Sequence, residues 1–222
     1  MTDREVPTVG ARGRVLSPVE RISEAIFGLI MALTFTCTLS VASAGREDVR
    51  TMLIGALGCN LAWGIVDGVL YVVDALVART RGLTLFRALR RTTDPEHART
   101  IIGDELPPVV RAALSSGDFD RIRERLAAIP EPRRVSVTGR DLLGALAVLL
   151  LCFLATFPVA VPFVFVSEPR LALRISNAIA IAMLFLSGYA LARYAGGSPL
   201  RFGAWGVGLG VVLVGATIAL GG

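Results

Sequence analysis

Hydrophobic residues run through this chain in long continuous blocks and not in alternation. Five blocks, at about 25–45, 51–77, 142–167, 175–192 and 202–222, come near the roughly 18–20 apolar residues that a helix needs to cross the hydrocarbon of a bilayer. Only the second block encloses charges, Asp67 and Asp74. A membrane barrel would show period-two alternation, and only helices or closed barrels satisfy every backbone group in lipid. The expected fold is therefore all-α: a polytopic membrane protein with five transmembrane helices and a small helical cytoplasmic insert between helices 2 and 3. The chain divides into a tail (1–21), spans one and two (22–78), the insert (79–140) and spans three to five (141–222). The tail is polar, with Arg4, Arg12, Arg14 and Arg21, and the block after it is too long for the apolar core of a signal peptide.

Composition agrees, with 54% hydrophobic residues and a mean hydropathy of +0.65, too apolar for an ordinary soluble domain. The net charge is +5, and all 23 basic residues are arginine. Thirteen of them fall between Arg79 and Arg140 against eight acids, so the insert holds the basic excess. Arginines are retained on the inner side of short loops, which puts the N-terminus, the insert and the Arg193/Arg201 loop in the cytoplasm and the C-terminus outside. A multi-pass position in a bacterial plasma membrane is the expected location. The lipid bilayer is the expected partner of the basic excess, since anionic headgroups attract arginine by about 1 kcal/mol each. No aromatic platform accompanies the charge, so nucleic acid is not an expected partner.

Cys37, Cys59 and Cys152 all lie inside apolar blocks, where cysteine behaves as a small apolar residue. No disulfide framework or zinc spacing is present. No phosphate-binding loop, nucleophile elbow or HExxH occurs, and Gly206, Gly208 and Gly210 follow no strand. Nothing here supports an enzyme or a permanently bound cofactor.

The insert reads as three short helices after a basic amphipathic piece at 83–91, whose Leu83, Phe86 and Leu89 are expected to lie on the membrane surface. Asp94 before Pro95 is an N-cap followed by a first-turn proline, with Ile101, Ile102 and Leu106 as the apolar face. Pro107 and Pro108 force a break, and Val109, Val110 and Leu114 carry the next piece to the turn at 115–117. Phe119, Ile122, Leu126 and Ile129 then share one helix side that Pro130 ends.

The polar residues inside the spans carry the candidate chemistry. Asn60, Gly64, Asp67, Tyr71 and Asp74 recur at steps of three and four, so they share one face of the second span. An ionisable group at that depth costs several kcal/mol unless it is paired, hydrated or facing an ion path. A carboxylate in line with other oxygen donors suits a divalent cation or a proton. The same residues would equally well hydrogen-bond a neighbouring helix and hold the bundle together. On the first span Glu24, Met31, Thr34 and Thr38 share a face, with Glu24 a candidate partner of Asp67, Met31 a soft ligand and Thr34 a hydroxyl. Pro158 and Pro162 remove helix hydrogen bonds in the third span and release the carbonyls of Leu154 and Pro158.

In this order, the features resemble the vacuolar iron transporter family. Glu24-Ala-Ile-Phe-Gly28 is similar to the family's opening of the first span. Residues 153–163 are similar to its proline-bearing third span, and 184–188 through 196–199 to its fourth span and following loop. The resemblance implies a homodimer that moves ferrous or manganous ion, Fe(II) or Mn(II), in exchange for protons, with metal ligands at Asp67, Glu24 and Met31. The family's first-span aspartate is missing here, where Ile30-Met31-Ala32 stands instead. A carboxylate and a thioether have thus exchanged helices. The family's acidic insert is represented only by a sparse set, Glu96, His97 and Glu105, as a cytoplasmic metal site. The alternative is a non-transporting membrane scaffold or sensor that keeps the transporter fold. A dimer contact is expected through the close-packing glycines Gly64/Gly68 and Gly206/Gly210.

Overall fold

The computed structural model describes residues 15–37, 46–131 and 135–219. Among them every regular element is helical: α1 (Pro18–Cys37), α2 (Arg46–Arg91), α3 (Pro95–Asp104), α4 (Pro108–Ala113), α5 (Ser116–Ala128), α6 (Gly139–Leu154), α7 (Thr156–Phe165), α8 (Pro169–Ala195) and α9 (Pro199–Ala219). Among the described residues, four stretches are long and apolar enough to cross a membrane: Glu47–Arg91, Gly139–Phe165, Pro169–Ala195 and Pro199–Ala216. α1 does not join them. Glu20, Arg21 and Glu24 lie within it, and positions 38–45 of the first apolar block, Thr38 included, are outside the described residues. The chain forms two compact units, residues 73–137 and the remaining helices, with α2 passing through both.

In the larger unit α8 packs on α9, α1 and α7, while α1 also meets α6, α7 and α9. Its core is built from small and branched side chains: Leu29, Ala32, Leu33 and Cys37 of α1, Ala155 and Val159 about α7, and Ala180 and Leu184 of α8. Small residues let backbones approach, which drives helix association where lipid offers no hydrophobic contrast. A side-chain carbon at Gly64 would meet the backbone of Leu149, one at Gly68 that of Ala145, and one at Gly206 that of Leu184. The glycine faces expected to join two copies are therefore occupied by this chain's own α6 and α8. Gly196 closes α8 in the left-handed region, at φ 74°, and turns the chain into α9. Large apolar side chains face outward, Phe165 at 81% and Trp205 at 80% exposure among them, as surfaces in contact with lipid do.

The third span is broken where its prolines predict. α6 ends at Leu154, Ala155 forms the joint, and α7 starts at Thr156 with Pro158 in its first turn and Pro162 inside. Proline lacks the N–H that would bond back to Leu154. Further on, Ser176 of α8 donates to the Val159 carbonyl at 2.7 Å, tying α7 to α8.

The smaller unit holds the three short helices. Asp94 caps α3 by accepting from the Glu96 N–H at 3.0 Å, with Pro95 at the start. Leu89, Ala98, Ile102 and Phe119 form its core, ringed by Ile101, Leu106, Ile122 and Leu126. Val109, expected on an apolar face, is 83% exposed, and Val110 and Ile129 are exposed as well. The piece at 83–91 continues α2 without a break, and Leu89, on the side expected to lie on the membrane surface, is buried in this core.

Candidate functional site

The structure gathers several polar groups where α1, α2 and the α6/α7 joint meet. Asn60 is fully buried. Its amide donates one hydrogen to the Gly28 carbonyl of α1 at 3.0 Å and the other to the Thr156 hydroxyl oxygen of α7. Both hydrogens are thereby used, and the amide oxygen Oδ1 is left buried without a protein partner. The Gly28 carbonyl decides which way the amide points, since a flipped oxygen would face another oxygen. Gly28 itself permits the junction, because a side-chain carbon there would strike the Cys152 carbonyl and Ala155. The Cys152 thiol, also fully buried, donates to the Asn60 carbonyl at 3.7 Å.

Two helical turns further along α2, about 10 Å by the helix rise, Asp67 carries a carboxylate oxygen, Oδ2, that is buried with no hydrogen-bond partner. Glu24 of α1, half-buried, stands near enough for the two carboxylates to repel. Cys152 lies within the field of both. Two half-buried carboxylates within each other's field repel, and a proton or a cation bound between them would relieve that repulsion.

Of the residues that the sequence singles out, Asp67 and Glu24 stand within each other's field, while Asn60 lies two helical turns from Asp67 and ties α1 to α7. Others serve differently. Tyr71 donates its hydroxyl to the Val15 carbonyl at 3.0 Å, and its ring fills the space beside Gly144. Thr34 donates to the Ile30 carbonyl of its own helix at 2.9 Å. Asp74 is exposed, and Met31 is half-buried on α1. Cys152 and Thr156 are the members that sequence reasoning missed. Their signal was available, since they stand one helical turn apart beside the proline break.

The sparse cytoplasmic metal site is not assembled. Glu96 pairs with Arg99 at 2.6 Å and Glu105 with Arg81 at 3.1 Å, while His97 is exposed. Most other acids of the insert are also engaged by arginine: Glu131 with Arg87, Asp120 with Arg99, Asp104 with Arg111 and Asp118 with Arg121. No set of three or more His, Cys, Asp or Glu side chains converges as a metal site among the described residues.

Apolar helices of spanning length and an outward apolar surface make this an all-helical, multi-pass membrane protein. No protein-family model matches the chain, and no curated protein is significantly similar to it.

Proposed function

We propose that this protein is a membrane transporter of divalent metal cations, iron or manganese, coupled to protons, with Asp67 as the group that binds cation and proton in turn. The observation that carries the proposal is the buried, unpartnered Oδ2 of Asp67, within the field of the Glu24 carboxylate. An intramembrane carboxylate without a hydrogen-bond donor is expensive and is found where charge is moved. The break between α6 and α7 beside Asn60 adds support, since discontinuous helices often build ion sites in transporters. The resemblance to the vacuolar iron transporter family points the same way, towards five spans, a cytoplasmic N-terminus and a homodimer. A non-transporting scaffold or sensor is favoured by one observation, the arginine pairing of the insert's acids.

The deciding experiment is uptake of Mn(II) and Fe(II) into proteoliposomes by the protein and by Asp67→Asn. The substitution keeps shape and removes charge. Loss of flux and of its pH dependence in a folded variant is the expected result. No flux in either leaves the scaffold, and equal flux in both removes Asp67 as the group that carries the charge.

A further inference from the structure

The outward apolar stripe of α2 does not stop where the apolar block stops. Val66, Leu70, Val73 and Val77 are exposed and recur at helical spacing, and the same stripe continues as Thr80, Thr84 and Ala88, past Arg79 where charge begins. From Val73 onwards it forms the floor of a groove of about 680 Å³, walled by Ile101 of α3. That volume lies within the roughly 300–1,000 Å³ of sites that hold one small ligand. Thr80 and Thr84 donate their hydroxyl hydrogens to the Leu76 and Thr80 carbonyls of α2 itself, at 2.8 and 3.0 Å, and a threonine has only one to give. The floor is therefore apolar in effect. At the lip Arg81 and Glu105 neutralise each other at 3.1 Å, so the groove selects for apolar substance and not for a charge.

We propose that this groove holds one acyl chain of a phospholipid drawn from the adjoining leaflet. Continuity with the lipid-facing surface of the span decides the occupant. The groove's lower end, at Val73 and Val77, lies inside the apolar block, whereas its upper end, at Ala88 and Ile101, lies beyond it. A soluble partner cannot reach the lower end through hydrocarbon. A chain of methylenes already in contact with that end reaches the upper one by following a single helix face, and it takes apolar surface outside the membrane away from water as it does so. The second chain of the same lipid stays in the bilayer. The inference stands apart from transport, because a scaffold would hold the same chain.

The test irradiates the full-length protein in nanodiscs containing a phosphatidylcholine with a diazirine on the terminal carbon of one chain, and maps the adducts by peptide mass spectrometry. The end of an ordinary bilayer chain lies near the midplane, so adducts on residues 80–88 and on Ile101 are expected only when a chain has entered the groove. Thr84→Glu sets a carboxylate on the floor and should abolish these adducts while keeping those at Val66 and Leu70, which report an intact span. Thr84→Val removes only a hydroxyl already spent and should keep both sets. Phosphatidylglycerol bearing the same diazirine should label equally, because the lip is neutral. Three results overturn the proposal: no adduct beyond Val77, adducts there that Thr84→Glu leaves unchanged, or labelling by phosphatidylglycerol alone, which would place recognition at the arginines. Loss of the adducts to an equal concentration of free palmitate would assign the groove to a fatty acid and overturn it as well.

Discussion

Asn60 has no side-chain hydrogen left to give, since Gly28 on α1 and Thr156 on α7 take both. One side chain therefore joins three helices at the joint of the third span. Asn60→Leu leaves two buried acceptors without their donor, and an unmade buried hydrogen bond costs about 1–3 kcal/mol. The expected outcome is a lower melting temperature in detergent, read by tryptophan fluorescence. Thr156→Val removes only one of the two acceptors and should cost less. Asp67→Asn should melt close to the parent, because its buried oxygen has no partner to lose. At this scale the sequence marked Asn60 and Asp67 plainly, as polar side chains inside an apolar block. It did not single out Cys152 or Thr156, whose one-turn spacing beside the proline break has a role only once α2 packs there and brings Asn60 against both.

Elements meet here through glycine, and two substitutions separate close packing from backbone entropy. Gly28→Ala sets a methyl against the Cys152 carbonyl and Ala155, and overpacking of this kind costs about 1–3 kcal/mol. Gly58→Ala meets nothing within 4 Å and removes a mid-helix glycine, so it should be neutral or stabilising by up to about 1 kcal/mol. Thermal unfolding of the two variants side by side checks the contrast. In the smaller unit, α5 is held by acid contacts. The Ser115 hydroxyl and N–H hold Asp118 below its ordinary value of 3.8, and the Arg99 guanidinium does the same for Asp120. Because the folded state favours the charged forms, the unfolded chain takes up protons first as pH falls. Their contribution is present above about 3.8 and is lost as pH drops through the lower folded values. The protection of α5 against hydrogen exchange, taken relative to the intrinsic rate at each pH, should therefore fall on acidification from pH 5 to pH 2, and Asp118→Asn should weaken that dependence. The sequence located these helices through proline, caps and periodicity. It placed 83–91 on the membrane because an amphipathic helix reads the same whether lipid or protein covers its apolar side.

For the whole molecule, the arginine distribution predicts which loops face the cytoplasm. Single cysteines at Ser116 and Ser198, added in place of those serines, should react with an impermeant thiol reagent only after cells are opened. One replacing Ser167 should react in intact cells. Labelling at Ser116 from outside would reverse the topology.

The sequence by itself determined the class of this protein, because continuous apolar blocks have few physical outcomes and lipid admits only closed hydrogen bonding. It also determined the break in the third span, since proline cannot complete the helix ladder wherever it is placed. Tertiary structure alone decided which surface each glycine face meets. Gly64/Gly68 and Gly206/Gly210 carry the same spacing whether a partner chain or the chain's own α6 and α8 fill it. It alone decided that the insert's acids are spent on arginines, a matter of side-chain reach between α2, α3, α4 and α5. It also brought Glu24, Asp67 and Cys152 within one another's field, because residues on three different helices become neighbours only when those helices cross.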